Sequence, residues 1–319
     1  MSVSGAEHRS PNAERRTFYD VVIVGAGPAG LSAALMLGRS CRSVVVFDSG
    51  HPRNAASHAM HGFLSRDGMP PLEFLRLARE ELRRYETVSV RDAEVVAAEC
   101  QQDKRFAVTL QDGERIICRK LLLATGVVDN VPDIPRIREF YGRSVFHCPY
   151  CDGWEVRGQP IAIYGNGDRG FGLSLELTGW SRDLVLCTDG PSEIDDKDRG
   201  RLASHGIEVR EDRIAELDGH DGQLRDIVFA DGSRLARHAL FFTTGQSQRS
   251  NLLVRLGCEF NEKGTVRTGK YETTHLPGLF VAGDASRAVQ WVVVAAAEGA
   301  EAAFAINSDL LKEDLLNNA

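Results

Sequence analysis

The chain has 319 residues, a formal net charge of −7 and a hydrophobic content of 43%, which is typical of a folded protein with room for two domains. The negative charge argues against nucleic acid or an anionic membrane as a partner, because both select clusters of Lys and Arg. No stretch approaches the roughly 20 apolar residues of a membrane helix, and residues 1–16 lack the apolar core of a signal peptide, so we expect a disordered tail and a cytoplasmic protein.

The first predicted unit is a strand, a glycine turn and a helix. Residues 19–24 form an apolar β-branched run, residues 25–30 read G-A-G-P-A-G, and apolar residues then recur at helical spacing. A second apolar run, over residues 44–48, ends on Asp48. Together these elements predict a βαβ unit with two parallel strands.

The glycine turn has the spacing of a dinucleotide-binding fingerprint. Gly25 permits the tight turn, Gly27 lets the backbone approach a pyrophosphate, and Gly30 allows the helix to pack closely on the strand. Asp48, about 20 residues further on, is placed to bond a ribose diol. Because the strand, the helix and the acid all meet the requirements of the motif, we predict a dinucleotide site rather than an ordinary turn.

The next segments complete a first domain. Pro70 begins a predicted helix, and short strands with tight turns over residues 88–123 are typical of a β-meander. This part of the chain ends at Ala124-Thr125-Gly126.

A second copy of the same plan follows. Residues 161–164 form a strand that leads into a second glycine turn at residues 165–170, and a further strand covers residues 184–187. Residues 240–245 close this copy as 121–126 close the first. The Pro-rich residues 131–135 between the two copies are a plausible hinge.

The C-terminal part of the chain carries a Gly-Asp pair. Gly283 and Asp284 follow an apolar strand and precede a helix that has no counterpart in the second copy. The pair is also compatible with an ordinary turn, but beside the first glycine motif it is placed to bond the ribityl chain of a flavin. We therefore expect this segment to return to the first domain.

These patterns predict an α/β protein with two Rossmann-like dinucleotide-binding domains, each of three layers (β/β/α). The FAD-binding domain is expected to be discontinuous, with the second domain inserted. We predict a tail at 1–16, the FAD-binding domain at 17–129 and 247–319, and an NAD(P)-binding-like domain at 130–246 that carries a Cys-x-x-Cys pair.

Cys148 and Cys151 form that pair, within H-C-P-Y-C-D-G. Two thiols at this spacing can close a small disulfide ring, and a thiolate of lowered pKa can attack a substrate disulfide. A zinc site would need a second ligand pair, which the sequence lacks, so we expect no metal. A purely structural thiol pair remains an alternative. The other five cysteines, Cys41, Cys100, Cys118, Cys187 and Cys258, stand singly in apolar surroundings and are expected to be inert core residues.

The order of these motifs resembles the low-molecular-weight thioredoxin reductases over residues ~17 to ~312, nearly the whole chain. The resemblance implies that Cys151 lies against the flavin, that Cys148 attacks the substrate and that Asp152 protonates the departing thiolate; a helix N-cap is the alternative for Asp152. It also implies a homodimer, a thioredoxin-like partner protein, and one domain that rotates against the other. Gln290 matches a glutamine beside the flavin. The residues expected to bind FAD are Gly25, Gly27, Pro28, Ala29, Gly30, Asp48, Ala124, Thr125, Gly126, Gly283, Asp284, Gln290, Trp291 and Val292.

The chain departs from the family after residues 184–187. The family's NADPH-selective His-Arg-Arg signature is expected here, but the sequence reads Thr188-Asp189-Gly190. Asp189 would repel a 2′-phosphate, so we expect inefficient use of NADPH. Two alternatives are that Asp189 serves the ribose of NADH instead and that the nucleotide site is vestigial; ferredoxin is a further alternative as electron donor.

A second departure lies in Pro149-Tyr150 between the cysteines, together with residues 61–63 and 66–68. These resemble a branch of the family that includes dithiol oxidases, which hand electrons to oxygen and usually carry His after the cysteine pair. Asp152 at that place favours the reductase. A dithiol oxidase and a non-catalytic flavin redox sensor remain the alternative functions.

Overall fold

The computed structural model describes residues 17–317, so the tail predicted at 1–16 lies outside the described residues. The helices are α1 Pro28–Arg39, α2 Pro71–Leu82, α3 Ile137–Phe140, α4 Pro149–Asp152, α5 Gly167–Leu177, α6 Asp196–Ser204, α7 Leu252–Arg255 and α8 Val292–Asn317, with 3₁₀ turns at Lys270–Glu272 and Gly283–Ala285. The strands are β1 Phe18–Val24, β2 Val44–Asp48, β3 Val88–Asp92, β4 Val95–Cys100, β5 Phe106–Leu110, β6 Arg115–Leu123, β7 Val127–Asp129, β8 Val145–Phe146, β9 Ile161–Tyr164, β10 Leu184–Cys187, β11 Glu208–Arg210, β12 Ile214–His220, β13 Gln223–Phe229, β14 Arg234–Ala236, β15 Ala239–Phe242, β16 Gln246–Gln248 and β17 Leu279–Val281.

The first sheet has the order β3-β2-β1-β6-β5-β4, and β17 also pairs with β6. Strands β3, β2, β1, β6 and β17 are parallel, so their carboxyl ends meet at one edge, where ligands of such sheets bind. Helices α1 and α8 pack together on one face over a core of Ala, Val and Leu side chains. The meander predicted over residues 88–123 is confined to β4, β5 and β6; β3 instead pairs in parallel with β2, because α2 provides a crossover connection.

The second sheet repeats the plan with the order β11-β10-β9-β15-β8, and its pairs are all parallel. A separate antiparallel sheet, β12-β13-β14, packs beside it, and β7 pairs with β16 in a two-stranded ribbon that joins the two halves. Two Rossmann-like sheets confirm the predicted fold class. The domain boundaries at 129/130 and 246/247 stay predictions.

Glycines hold the first turn against the sheet. A side chain at Gly25, whose φ is +106°, would place its Cβ 2.2 Å from the carbonyl oxygen of Ala124, and one at Gly30 would come within 1.9 Å of the carbonyl oxygen of Gly25. These two close approaches need glycine and bring the N-terminus of α1 to the sheet edge.

The prediction that five cysteines lie in the core is correct for three and wrong for two. Cys118, Cys187 and Cys258 are buried, whereas Cys41 and Cys100 are exposed. Cys41 lies in the turn after α1 with φ +57°, and Cys100 ends the edge strand β4, so neither is covered by a neighbouring element. Over residues 17–317, the helices are all too short or too polar to span a bilayer.

Candidate functional site

A cavity of about 860 Å³ opens at the carboxyl edge of the first sheet. It brings together most of the residues that the sequence singled out: Gly25, Gly27, Pro28, Ala29, Asp48, Ala124, Thr125, Gly126, Cys151, Asp152, Gly283, Asp284, Gln290, Trp291 and Val292. Two predicted residues do not line it. Gly30 lies beneath the turn, packed against Gly25, and Cys148 faces a different cavity.

The glycine turn presents the start of α1 to this cavity. Gly27 is the N-cap of α1, Pro28 is its first residue, and no side chain caps the helix. A Cβ built on Gly27 meets no atom within 4 Å, so the open side of this residue faces free space. The free amides and the positive end of the helix dipole make such a turn a binding place for a phosphate group.

Asp48 ends β2 at the wall of the cavity, as its proposed bond to a ribose requires. Arg79 of α2 forms a salt bridge with one oxygen of Asp48 and with Asp92 at 2.8 Å. No motif in the sequence pointed to this arginine, because its partners Asp48 and Asp92 are the last residues of two different strands. Its bridge keeps the Asp48 carboxylate in place without using the other carboxylate oxygen.

The same cavity also holds polar groups suited to a flavin. The hydroxyl of Thr125 is buried and, within residues 17–317, finds no hydrogen-bond partner. Gln290 donates to the carbonyl oxygen of Asp284 at 3.2 Å. Arg53 donates to the Asp284 carboxylate at 2.8 Å and to Gln290 Oε1 at 2.7 Å. Sequence reasoning missed Arg53, which stands outside every motif.

Cys148 and Cys151 are joined as a disulfide, with their Cα atoms 5.2 Å apart. Cys148 is the N-cap of the short helix α4, and Pro149 at its first turn favours the tight geometry that brings the two sulfurs together. Cys151 faces the large cavity, whereas Cys148 lines a second cavity of about 360 Å³ on the other side. The pair therefore connects two compartments.

Asp152 is the last residue of α4 and not an N-cap, so the alternative interpretation of this residue is wrong. Burial, with a smaller contribution from Glu155, raises the pKa of Asp152 from its ordinary value to about 7. A carboxyl group with this pKa can donate and accept a proton near neutral pH.

His147 precedes the nucleophile candidate. Burial lowers the pKa of His147 to about 4, with Asp129 opposing the shift and Arg53 adding to it. The imidazole is therefore neutral at pH 7. No group of three or more potential metal ligands occurs among residues 17–317.

Aromatic side chains surround the second cavity. The Tyr150 ring lies edge-on to Trp180, with centroids 5.3 Å apart, and 5.6 Å from the Trp291 ring. Tyr150 and Val289 are exposed by 60% and 49%, although both are apolar enough to favour burial. Tyr150, Val289 and Trp291 line the same cavity as Cys148 and form an open apolar wall beside it, while Trp180 contacts the Tyr150 ring.

The second glycine turn is covered by the chain itself. The Asn166 side chain accepts hydrogen bonds from the amides of Gly167 at 2.9 Å and Glu193 at 2.8 Å, and it donates to the carbonyl of Pro191 at 2.9 Å. The Glu193 carboxylate lies 3.6 Å from the Cβ position of Gly167. An acid thus occupies the helix end where a phosphate would bind.

Asp189 is also engaged within the protein. Its carboxylate accepts a hydrogen bond from the amide of Ile214 at 2.7 Å and one from the Tyr164 hydroxyl at 3.4 Å. Its backbone has φ +56°. One carboxylate oxygen thus binds the start of β12, and the other binds the end of β9.

Comparison with known proteins places the chain in a family. The family model described as pyridine nucleotide-disulphide oxidoreductase matches residues 19–299. Thioredoxin reductase tcpT from Claviceps purpurea is 34% identical over 279 residues, covering 83% of this chain and 86% of its own. Among solved structures, HlmI is 39% identical with a TM-score of 0.90, covering 94% of this chain and 95% of its own. TrxB from Bacillus anthracis is 34% identical with a TM-score of 0.88, covering 93% and 99%.

Proposed function

The chain belongs to the pyridine nucleotide-disulphide oxidoreductase family, as a thioredoxin-reductase-type oxidoreductase, and on that premise we propose that it uses FAD to reduce a protein disulfide through Cys148 and Cys151. One observation carries the proposal: the disulfide lies between the large cavity, on the Cys151 side, and a second cavity that opens at Cys148. Electrons can therefore enter at one sulfur and leave at the other.

The large cavity supports FAD as the cofactor. Gly27 leaves space for a pyrophosphate, and Asp48 and Asp284 line the same cavity, where our proposal has them bond the adenosine ribose and the ribityl chain. The Thr125 hydroxyl, which finds no hydrogen-bond partner within residues 17–317, suits a bound polar group. FAD would supply the two electrons that open the Cys148–Cys151 disulfide.

The exchange with a partner protein uses the chain's own side chains. The Cys148 thiolate attacks one sulfur of the partner's disulfide, so that a mixed disulfide forms and the other partner sulfur departs as a thiolate. Asp152 lines the large cavity with Cys151 in this arrangement, and we propose that it gives the leaving thiolate a proton once the domain that carries the pair has rotated, which its pKa of about 7 permits. The Cys151 thiol then gives up its proton and attacks the Cys148 sulfur. The mixed disulfide breaks, the internal disulfide is restored, and the second partner sulfur takes up that proton, so that the partner leaves as a dithiol. A thioredoxin-like protein suits this reaction, and we propose a homodimer as the working state.

We propose further that NADPH is not an efficient electron donor. Asp189 stands where the family has arginine and does not suit a nucleotide with an added 2′-phosphate. The Glu193 carboxylate at the second glycine turn opposes the phosphates of NADPH and NADH alike. NADH or a one-electron carrier such as ferredoxin then supplies the electrons.

Anaerobic reduction of the flavin tests this proposal. NADPH, NADH and reduced ferredoxin are offered separately while the yellow flavin absorbance is followed. We expect slow bleaching with NADPH and fast bleaching with one of the other two. Rapid bleaching by NADPH would disprove the proposal that Asp189 excludes the 2′-phosphate. Repeated turnover of a disulfide substrate with any of these donors would exclude a non-catalytic flavin redox sensor.

A dithiol oxidase is the second candidate, and one observation favours it. The apolar wall of Tyr150, Val289 and Trp291 beside Cys148 suits a small apolar dithiol as well as a protein loop. The oxidase predicts hydrogen peroxide when dithiols are added in air. Absence of peroxide would remove this candidate.

A further inference from the structure

Arg53 lies between the two cavities and lines both of them. It follows β2 in the loop over residues 49–70, and its side chain is only 16% exposed. A buried guanidinium needs partners for its charge and for its five N–H donors. Burial alone would lower the pKa of Arg53, but the neighbouring acids more than offset this effect and raise it.

The guanidinium contacts three separate parts of the protein. Its Nε and Nη2 bind the two oxygens of Asp129 in the joining ribbon, the Nε contact at 2.9 Å. Its Nη1 binds Asp284 at 2.8 Å and Gln290 at 2.7 Å in the flavin-binding turn, and its Nη2 lies 3.2 Å from Nε2 of His147. Nη2 also lies 3.4 Å from Oε1 of Gln246 in the same ribbon, so the contacts engage all five N–H donors.

The contact with His147 fixes the state of that imidazole. Arginine can only donate, so Nε2 of His147 has to accept, and the ring carries its single proton on Nδ1. Nδ1 lies 3.4 Å from the hydroxyl oxygen of Tyr141, and that hydroxyl donates to Asp129 at 2.9 Å. Arg53, His147, Tyr141 and Asp129 therefore close a ring of hydrogen bonds directly before the nucleophile Cys148.

We propose that Arg53 is a positioning residue that ties the flavin-binding turn, the joining ribbon and the loop that carries Cys148 into one arrangement, with His147 held as a neutral acceptor. This inference rests on the proposed function, since it concerns how the disulfide is kept between flavin and substrate. Lysine cannot replace Arg53, because one ammonium group cannot bind Asp129 in a bidentate manner and also reach Asp284 and His147.

Two measurements on Arg53→Met and Arg53→Lys test the proposal. The first is the pKa of His147 by NMR, which can be measured with or without FAD. With Arg53 replaced by Met, Asp129 and Tyr141 remain around the ring while the opposing cation is gone, so we expect the pKa of His147 to rise measurably above that of the wild type, with burial still holding it below its ordinary value. With Lys at this position, we expect a smaller rise.

The second measurement uses a Cys148→Ser background, in which the Cys151 thiolate against bound flavin gives a long-wavelength absorption band. We expect this band to lose most of its intensity when Arg53→Met is added, since the loop is no longer tied to the flavin-binding turn. The control is Arg66→Met, because Arg66 is exposed on the same loop and its side chain donates to the carbonyl of Ser65 at 3.2 Å, away from the Arg53 contacts; it should change neither reading.

The outcomes separate the two proposals. If the Cys148→Ser protein binds FAD but shows no band, the flavin–thiol relay of the proposed function is wrong, while the NMR measurement still decides the role of Arg53. An unchanged His147 pKa in both the Met and the Lys variant overturns the positioning role. The same holds for a band that persists at full intensity in the double variant. Should Arg53→Met fail to fold, the Lys variant supplies both readings.

Discussion

The backbone amide of Gly283 donates a hydrogen bond of 2.8 Å to the carboxylate of Glu298, so helix α8 holds the turn that carries Asp284. The other carboxylate oxygen accepts from Arg287 at 2.7 Å, and Arg287 also binds Glu272, which is fully buried. One cation thus lies between two carboxyl groups of low exposure. Burial is the main reason that the pKa of Glu298 is raised to about 7.

Replacing Glu298 by Gln should weaken FAD binding. The glutamine side chain has one acceptor and one amide donor, so it cannot accept from both Gly283 and Arg287. Loss of one hydrogen bond of about 1 kcal/mol corresponds to a roughly five- to tenfold rise in the Kd for FAD, measured by flavin fluorescence. Glu301→Gln, at an exposed position of the same helix, is the control. Equal affinities of the two variants would contradict a role of Glu298 in the turn.

The same substitution should change how stability depends on pH. The pKa of Glu298 is higher in the folded protein than its ordinary value of 4.5, so the fold favours the protonated carboxyl group. Its contribution is fully present below pH ~4.5 and is lost as the pH rises through ~7. The free energy of unfolding should therefore decline more in the wild type than in Glu298→Gln across this window, as urea titrations at several pH values would reveal. If the free energy of unfolding depends on pH in the same way for both proteins, Glu298 does not titrate in this window.

Asp152→Asn should slow turnover of a disulfide substrate by about 10²-fold, the usual contribution of a positioned general acid. Because the acid is active when protonated and its pKa is raised to about 7, the wild-type rate should fall as the pH rises through that value. Glu155→Gln removes a neighbouring negative charge and should move this descent to lower pH while leaving the maximal rate similar. If Asp152→Asn still shows the same fall in rate with rising pH, another group is responsible for that fall.

Cysteine variants should distinguish the two sulfurs. Cys151→Ser leaves Cys148 free to attack a partner disulfide but removes the thiol that resolves the product, so a stable mixed disulfide with the partner is expected. Cys148→Ser should trap none, because the remaining sulfur faces the flavin cavity. Non-reducing electrophoresis with a thioredoxin-like disulfide protein measures this. If only Cys148→Ser forms a stable mixed disulfide, Cys151 is the sulfur that attacks the partner and Cys148 the one that resolves the product.

The sequence predicted what depends on short motifs and on periodicity. Strand β1, the glycine turn and α1 were predictable because their residues are consecutive, and the same holds for the Cys148–Cys151 pair in α4. The fold class followed from two copies of one pattern. These parts of the site depend on residues that are neighbours in the chain, so the order of the amino acids is sufficient to locate them.

The contacts that organise the site were not predictable. Arg53 meets Asp129, His147 and Asp284, residues 76, 94 and 231 positions away in the chain, and no local pattern records such a meeting. The Gly283–Glu298 bond depends on how α8 packs over the turn. Exposure of Cys41 was missed for a similar reason, since a left-handed turn places it outside the helix pattern.

Glu193→Gln should improve nucleotide binding at the second glycine turn. Its carboxylate lies near the N-terminus of α5, where it competes with a phosphate for the positive helix end. Removal of one charge at this place is worth roughly 0.3–1 kcal/mol, so the Kd for NADH or NADPH should fall about two- to fivefold in calorimetry. Glu208→Gln, exposed on the edge strand β11, is the matched control. No difference between the variants would mean that Glu193 does not restrict the turn.

Alanine at the glycines of the first turn should separate cofactor binding from folding. A Cβ on Gly27 meets no protein atom within 4 Å, and its φ of −76° suits any residue, so Gly27→Ala should fold with a free energy of unfolding within about 0.5 kcal/mol of the wild type. The added methyl group would occupy the space that a pyrophosphate needs. We therefore expect at least a tenfold rise in the Kd for FAD.

Gly30→Ala should damage both properties, because its Cβ would come within 1.9 Å of the carbonyl oxygen of Gly25 and force α1 away from the sheet. Gly172→Ala in α5 is the control: its Cβ also meets no atom within 4 Å, and alanine should stabilise the helix by up to about 1 kcal/mol without changing FAD affinity. Thermal unfolding and flavin fluorescence of the three variants provide the measurements. Full FAD affinity in Gly27→Ala would mean that no pyrophosphate approaches this turn, and the large cavity would then need a different ligand.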